Sequence, residues 1–201
     1  MVILITLSTI TLILATKLMP IDVIYHVISA VTTTGSSINS ANNISEWTSF
    51  MKIIIIILMF IGGAAGSTVG AVKIIRVIIV LKGIYKIIIN ILSPKGRVVS
   101  MKISNRELKE EQIREASSYI SIYLLFIVIG WLVLVFYDFD GMNSLFEIVS
   151  AQGNVGLYTG IVSNITPDGV KLIMIFNMWI GRLEIIPVLV ILRSILEIFK
   201  R

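Results

Sequence analysis

The chain has 201 residues, 56% hydrophobic and 14% charged, with a mean hydropathy of +0.96 and a formal net charge of +5. So little polar surface excludes a water-soluble globule and makes the chain an integral membrane protein. With no cysteine and a single histidine, disulfides, thiolate chemistry and a metal cluster are excluded and no cofactor is expected; no nucleic-acid partner is expected either, because in a membrane chain the placement of basic residues matters more than their sum.

Met1 to Thr16 is an apolar run, about 24 Å long as a helix, that ends at Lys17. It has neither a basic leader region nor a small-residue cleavage site, so a retained membrane helix is expected. Its abrupt start leads to the expectation that a further part of the assembly lies upstream. Pro20 and Asp22 open, and Val31 closes, a helix of about three turns, too short to span a bilayer. The polar strip from Thr32 to Ser37 follows, and a re-entrant arrangement is expected, since irregular backbone at membrane depth needs protein or a water-filled cavity around it. Trp47 to Leu81 reads as one apolar segment, on the order of 50 Å if wholly helical. Its middle, Gly62 to Gly70, has poor helix propensity.

Lys82 to Ser118 is the substantial polar region, carrying Lys82, Lys86, Lys95, Arg97, Lys102, Arg106, Lys109 and Arg114. The positive-inside rule places it in the cytoplasm, so the polar strips enter from outside. Within it, Ile84, Ile87, Ile88 and Ile91 share one helical face and predict an interfacial helix. Ser104 with Glu107 has capping-box spacing and predicts a helix start. Tyr119 to Tyr137 predicts a full-length membrane helix, Asn143 to Gln152 a second short helix, Gly153 to Leu157 a second strip, and Gly169 to Phe199 a closing long helix.

The two halves are related. Ser29, Ala30 and Gly35 recur as Ser150, Ala151 and Gly156 at one offset, which also pairs Asp22 with Asn143, Tyr25 with Phe146 and His26 with Glu147. Met59-Phe60-Ile61-Gly62 recurs as Met178-Trp179-Ile180-Gly181 at an offset two residues smaller. The chain therefore reads as a duplication: a repeat over 1–82, a basic linker over 83–118 and a second repeat over 119–201. The expected fold is all-α and membrane-integral, each repeat being helix, re-entrant hairpin, helix.

A cation crossing a bilayer exchanges its hydration shell for protein oxygens, and backbone carbonyls around a narrow path can supply them. Gly35 and Gly156 permit backbone geometry that turns neighbouring carbonyls to one axis. Each short helix aims its partially negative C-terminus there, and Thr32, Thr33 and Thr34 add hydroxyl oxygens. Either strip alone reads first as an ordinary turn between helices; their shared offset, each behind a helix too short to span, reverses that in favour of the ion path.

The segment Gly62 to Gly70 fails as a phosphate loop, because Lys73 does not follow a glycine directly. It reads as a packing face, with Gly62, Gly66 and Gly70 four apart, or as an unwound gate; the residues leave both open. Arg182 lies about 18 Å into its helix, where a charge costs roughly 2.5–3.5 kcal/mol and needs a cavity or partner. It reads as a structural ion pair with another helix or as an electrostatic barrier in the pore, and the barrier is the reading adopted. His26 is expected to pack or hydrogen-bond within its helix rather than relay protons.

Val31-Thr32-Thr33-Thr34-Gly35, Met59-Phe60-Ile61-Gly62-Gly63-Ala64-Ala65-Gly66-Ser67-Thr68, Ala151-Gln152-Gly153-Asn154-Val155-Gly156-Leu157 and Met178-Trp179-Ile180-Gly181-Arg182 together resemble the third and fourth repeats of the Trk/Ktr/HKT potassium transporters. The resemblance covers essentially the whole chain. It implies a potassium-channel-like fold of helix-pore-helix (re-entrant P-loop) repeats, four around one path, multi-pass in the plasma or inner membrane among its lipids. It implies potassium uptake with a cytosolic nucleotide-binding regulatory subunit. Thr32, Thr33, Thr34, Gly35 and Ser36 would then be one filter strand, and Gly153, Asn154, Val155, Gly156 and Leu157 another, the glycine in each favouring potassium over sodium. Gly62, Gly63, Ala64, Ala65, Gly66, Ser67 and Thr68 would be a gate that moves beneath the filter, with Arg182. Ser36 stands where the family often has a larger apolar residue. Two repeats supply two of four walls, so the expected remainder is a missing N-terminal half or a second copy. The alternative is a non-conducting half acting as a membrane scaffold for full transporters. An enzyme is not expected, since an intramembrane hydrolase would have only His26 as its histidine base.

Overall fold

The computed structural model describes residues 1–16, 18–38, 44–64, 70–93, 101–103 and 106–183. In chain order the elements are α1 (Val2–Ala15), α2 (Pro20–Val31), α3 (Ser49–Ile61), α4 (Ile74–Leu92), the strands β1 (Lys102–Ile103) and β2 (Arg106–Glu107), α5 (Glu110–Phe136), α6 (Gly141–Gln152) and α7 (Asp168–Leu183). The fold is all-α apart from the two-residue strand pair, in which Lys102 faces Glu107 and Ile103 faces Arg106.

The same three-helix unit occurs twice. In the first, α1 packs on α2 and α3, and α2 on α3; in the second, α5 packs on α6 and α7, and α6 on α7. Contact between α3 and α6 joins the units. Pro20, at the first helical position of α2, has its φ pre-set for a helix start and no N–H to leave unsatisfied. In the second unit the Asp140 carboxylate accepts the Asn143 N–H at 2.9 Å, and this N-cap starts α6 at Gly141, two residues before the expected Asn143. Trp131 Nε1–H donates to Gly141 O at 2.8 Å and Gln152 Nε2–H to Tyr123 O at 2.9 Å, so α6 is tied to α5 at both ends.

Val23, Val27, Ala30, Ile55, Met59, Tyr123, Phe146 and Ile148 form a core with essentially no exposure. The outside is apolar as well: Val2, Ile3, Leu14 and Phe136 are each 74–83% exposed, the surface of a protein solvated by lipid. Because lipid is as apolar as this core, packing and internal hydrogen bonds, rather than escape from water, hold the helices together. Of the described helices, Glu110–Phe136 is long and apolar enough to cross a bilayer, with a mean hydropathy of 2.6 over its most apolar 18 residues; Val2–Ala15, Pro20–Val31 and Ser49–Ile61 are shorter and apolar.

Other helix boundaries also differ from expectation. Trp47 to Leu81 is not one helix: α3 ends at Ile61, Gly62 has φ +64, Lys73 has φ +72 and α4 begins at Ile74. The expected start at Ser104 and Glu107 is replaced by a hairpin, with Glu107 in β2; Ser104 lies outside the described residues. The helix instead opens at Glu110, where the Gln112 side chain accepts the Lys109 N–H at 3.2 Å and Glu110 and Glu111 complement the positive helix end. The membrane helix expected from Tyr119 therefore has more than two further turns at its start. Ile84, Ile87, Ile88 and Ile91 lie exposed on α4, as their shared face predicts. On the packed side, Gly83 lets Ile113 approach so closely that a Cβ there would sit 2.6 Å from its Cγ2. Lys86 pairs with Glu110 at 3.1 Å nearby. The closing helix is described as far as Leu183, and the remainder of that expected element lies outside the described residues.

Candidate functional site

Both short helices end in the same way. Beyond α2, Thr32 N–H bonds Ile28 O (2.9 Å), Thr33 N–H bonds Ala30 O (3.3 Å) and Thr34 N–H bonds Ser29 O (3.0 Å). Beyond α6, Gly153 N–H bonds Val149 O (2.9 Å), Asn154 N–H bonds Ala151 O (3.0 Å) and Val155 N–H bonds Ser150 O (2.9 Å). Thr33 and Asn154 both have φ +51, and the glycines that follow, Gly35 and Gly156, have φ +71 and +106. Four residues at matched positions thus occupy the left-handed region, which reverses the chain from helix to strip.

The strips meet. A Cβ on Gly35 would lie 1.8 Å from Val155 O and 2.9 Å from Gly156 Cα, and one on Gly156 would lie 3.6 Å from Gly35 Cα. Backbone touches backbone where a side chain would force the strips apart. The C-termini of α2 and α6, with their partial negative charge, both feed this point. Thr32 O–H donates to Ile28 O at 2.8 Å, so its oxygen receives the Thr34 hydroxyl, also at 2.8 Å.

What holds the returning chain against each short helix is not visible in the strips themselves. Ser29 Oγ–H donates to Ser36 O at 2.6 Å, and Tyr25 and Ser36 share a hydrogen bond at 2.5 Å. Ser36 is therefore anchored through both its hydroxyl and its carbonyl. Ser150 Oγ accepts the Gly156 N–H at 3.2 Å in the second unit. His26 bonds Asp22 O at 2.7 Å and Ser37 Oγ at 3.0 Å, with its ring edge-on to Trp47 at 5.0 Å, a packing and hydrogen-bonding role. At the matched position, Glu147 Oε1 accepts from Thr159 N–H (2.7 Å), Thr159 O–H (3.1 Å), Gly160 N–H (3.1 Å) and Ile161 N–H (3.3 Å). Two chemically different side chains at matched positions thus brace the returning segment of their own unit. Glu147 had no role assigned from sequence; the available signal was a carboxylate in the middle of a short apolar helix.

Lys52 was likewise missed, standing alone in a run of isoleucines. It is 5% exposed and its ammonium donates to Ser45 O at 2.6 Å and Asn143 Oδ1 at 2.7 Å, which joins α3 to the first turn of α6. Near the other end of this contact, Gly153 approaches Met59 O, to which a Cβ would lie 3.3 Å away.

Beneath the second strip lies the broken segment. Val72 N–H bonds Phe60 O at 3.1 Å and Ile74 N–H bonds Gly63 O at 3.2 Å, so the chain leaves α3 at Gly62 and returns beside it. Gly70 rests against the strip, where a Cβ would be 2.7 Å from Asn154 Nδ2 and 3.0 Å from both Gly153 O and Gly181 O. Gly62, Gly63 and Ala64 are non-helical; Ala65, Gly66, Ser67 and Thr68 lie outside the described residues. Gly62 and Gly70 therefore do not share one helical packing face. In the second unit α7 passes the matched position unbroken: a Cβ on Gly181 would lie 1.8 Å from Gln152 O, and Asn154 Nδ2–H donates to Met178 O at 3.1 Å. Arg182 follows, in the last described turn of α7, with an exposed side chain. A cavity of about 290 Å³ opens beside the second strip, lined by Ser150, Asn154, Gly156, Tyr158 and Met178 among others.

The arrangement matches known proteins. The model of the TrkH family, described as cation transport protein, matches residues 20–198. An uncharacterized cation transporter of Methanocaldococcus jannaschii is 38% identical over 175 residues, 87% of this chain and 36% of that protein. The Trk system potassium uptake protein TrkH of Escherichia coli K12 is 31% identical over 170 residues, 83% of this chain and 34% of its own. The crystal structure of the potassium transporter TrkH from Vibrio parahaemolyticus superposes with a TM-score of 0.79 at 24% identity, covering 95% of this chain and 42% of that one, a likeness of fold. The chain spans about a third of the length of the curated relatives it matches. On its sequence and its architecture together, this chain belongs to the TrkH family of cation transport proteins.

Proposed function

We propose that this chain contributes two walls of a potassium uptake pore, its residues 1–82 and 119–201 acting as the third and fourth of four helix-pore-helix repeats around the basic linker 83–118. The observation that carries this reading is the meeting of Gly35 with Val155 and Gly156, backbone to backbone, at the C-terminal ends of two short helices. In the assembled pore the carbonyls of Thr32 to Ser36 and Gly153 to Leu157 replace water around the ion. The braces at His26, Ser29, Ser150 and Glu147 keep those carbonyls from collapsing or rotating away. The relatives named for potassium uptake support the choice of ion.

Gating is assigned to Gly62–Thr68 with Arg182. Support comes from the helix break at Gly62 and from the close approach of the non-helical Gly70 to Gly153 and Asn154 in the second strip. Arg182 acts as a barrier: a unit charge about 8 Å from an ion costs it roughly 2 kcal/mol at an effective dielectric near 20, which throttles flux without abolishing it. The basic linker is the surface assigned to a cytosolic nucleotide-binding regulatory subunit.

The test is potassium uptake by transport-deficient cells expressing this chain, alone and with the complementary repeats. Uptake that disappears with Gly35→Ala at unchanged membrane abundance supports the pore. Membrane insertion with no uptake in either setting, together with binding to full transporters, supports the scaffold alternative.

A further inference from the structure

The contact between the two repeats has a matched but open counterpart at each end of the chain. Inside the molecule, α3 covers the face of α6 that runs from Asn143 through Phe146 and Val149 to Gly153. Lys52 holds Asn143 at one end and Met59 O lies against Gly153 at the other, while Phe146, Val149 and Met59 are 0–2% exposed. The repeat offset carries this face onto α2 as Asp22, Tyr25, Ile28 and Thr32, and carries Lys52, Ile56 and Met59 onto α7 as Lys171, Ile175 and Met178. Here nothing among the described residues covers them: Tyr25, Ile28, Ile175 and Met178 are 38–61% exposed. A groove of about 240 Å³ runs along the open face of α2 past Tyr25, Ile28 and Thr32 to Ser36.

The polar detail repeats as far as one chain allows. Lys52 Nζ–H donates to Ser45 O and Lys171 Nζ–H to Asn164 O at 3.1 Å, and Ser45 and Asn164 are themselves related by the offset that pairs Met59 with Met178. Lys52 then reaches Asn143 on the next short helix. Lys171, at the same place on α7, pairs beyond that carbonyl with its own neighbour Asp168, at 3.6 Å. The residue matched to Asn143 is Asp22, partly exposed at the start of α2, so the open version of this contact pairs an ammonium with a carboxylate, the stronger combination.

We infer that a second copy of this chain covers these faces: α7 of each copy lies in the α2 groove of the other, with Lys171 of one bonded to Asp22 of its partner, and vice versa. A two-fold axis satisfies both contacts at once and brings four short helices and four strips around one path. The inference rests on the pore reading for its purpose but not for its geometry.

The chain has no cysteine, so thiols introduced by substitution are the sole thiols present. The side chain of lysine is long, and cysteines at the two positions would stand beyond disulfide reach, so a short bis-maleimide is the appropriate probe. Differently tagged full chains carrying Asp22→Cys or Lys171→Cys are co-expressed and treated in membranes, with Lys52→Cys plus Asn143→Cys in one chain as the internal standard. The expected product is a covalent dimer containing one chain of each kind, at least about tenfold above that from either single variant alone. Asp22→Lys abolishes the native dimer, and Asp22→Lys with Lys171→Asp restores it. A mixture that remains monomeric while the internal standard closes overturns the inference, as does coupling of Lys171→Cys to a different co-purified chain. A dimer that cross-links but carries no potassium keeps the interface and refutes the pore.

Discussion

Gly35→Ala is the sharpest perturbation available, because two separate penalties fall on one methyl group. At φ +71 a residue with a Cβ is strained by about 1–3 kcal/mol. The Cβ would also stand 1.8 Å from Val155 O, roughly 1.6 Å inside an ordinary contact near 3.4 Å. Its neighbour is backbone, so no rotamer change relieves the clash; the strips must separate by about that amount. Gly156→Ala supplies the comparison. It shares the positive φ, +106, but its Cβ would meet Gly35 Cα at 3.6 Å, an ordinary contact. The first substitution therefore displaces carbonyls and the second chiefly strains its own backbone. In potassium-uptake assays of the assembled pore, normalised to membrane abundance, Gly35→Ala should lower the rate at least about tenfold further than Gly156→Ala, since an added cost of about 1.4 kcal/mol already corresponds to that factor. Equal rates for the two variants, or a milder effect at Gly35, would refute the claim that the strips touch where the ion passes.

Other consequences are open to direct measurement. Glu147→Ala leaves the Thr159, Gly160 and Ile161 donors without their acceptor, costing about 3 kcal/mol; thermal unfolding in detergent should fall by roughly 6–12 °C, with Glu147→Gln between it and the parent. Lys52→Met removes the link from α3 to Asn143 and Ser45 and should cost about 2 kcal/mol, read as a lower unfolding midpoint with helix content unchanged by circular dichroism. Arg182→Ala should raise potassium flux, by up to about 30-fold if the full barrier of roughly 2 kcal/mol is lost; lost expression with no gain would favour a structural ion pair. Replacing Gly62 to Gly66 with helix-favouring residues should alter flux while membrane insertion, followed by fractionation, stays intact.

Much of this architecture was legible because the duplication leaves its signature in residue types. Pro20 and Val31 bound α2 as read, and the offset from Gly35 to Gly156 marks the second strip in the sequence itself. Boundaries set by side-chain capping were harder. Asp140 begins α6 two residues early, and Gln112, not Ser104 with Glu107, marks the start of α5, because a two-strand hairpin competes for the latter segment. The bracing of the strips was least legible. His26 and Glu147 occupy one position with different chemistry, and their common task appears only when Ser37 and Thr159 are seen returning past them. Lys52 illustrates the same limit: a lysine among isoleucines signals a partner, but Asn143 lies far along the chain and only folding names it.

The most direct test of the central claim is an anomalous-scattering map of the assembled pore in rubidium, a heavier stand-in for potassium. A peak on an axis shared by the carbonyls of Thr33 to Gly35 and Asn154 to Gly156 is the predicted result. Rubidium bound elsewhere, with these two strips facing lipid or held apart by intervening side chains, would contradict it.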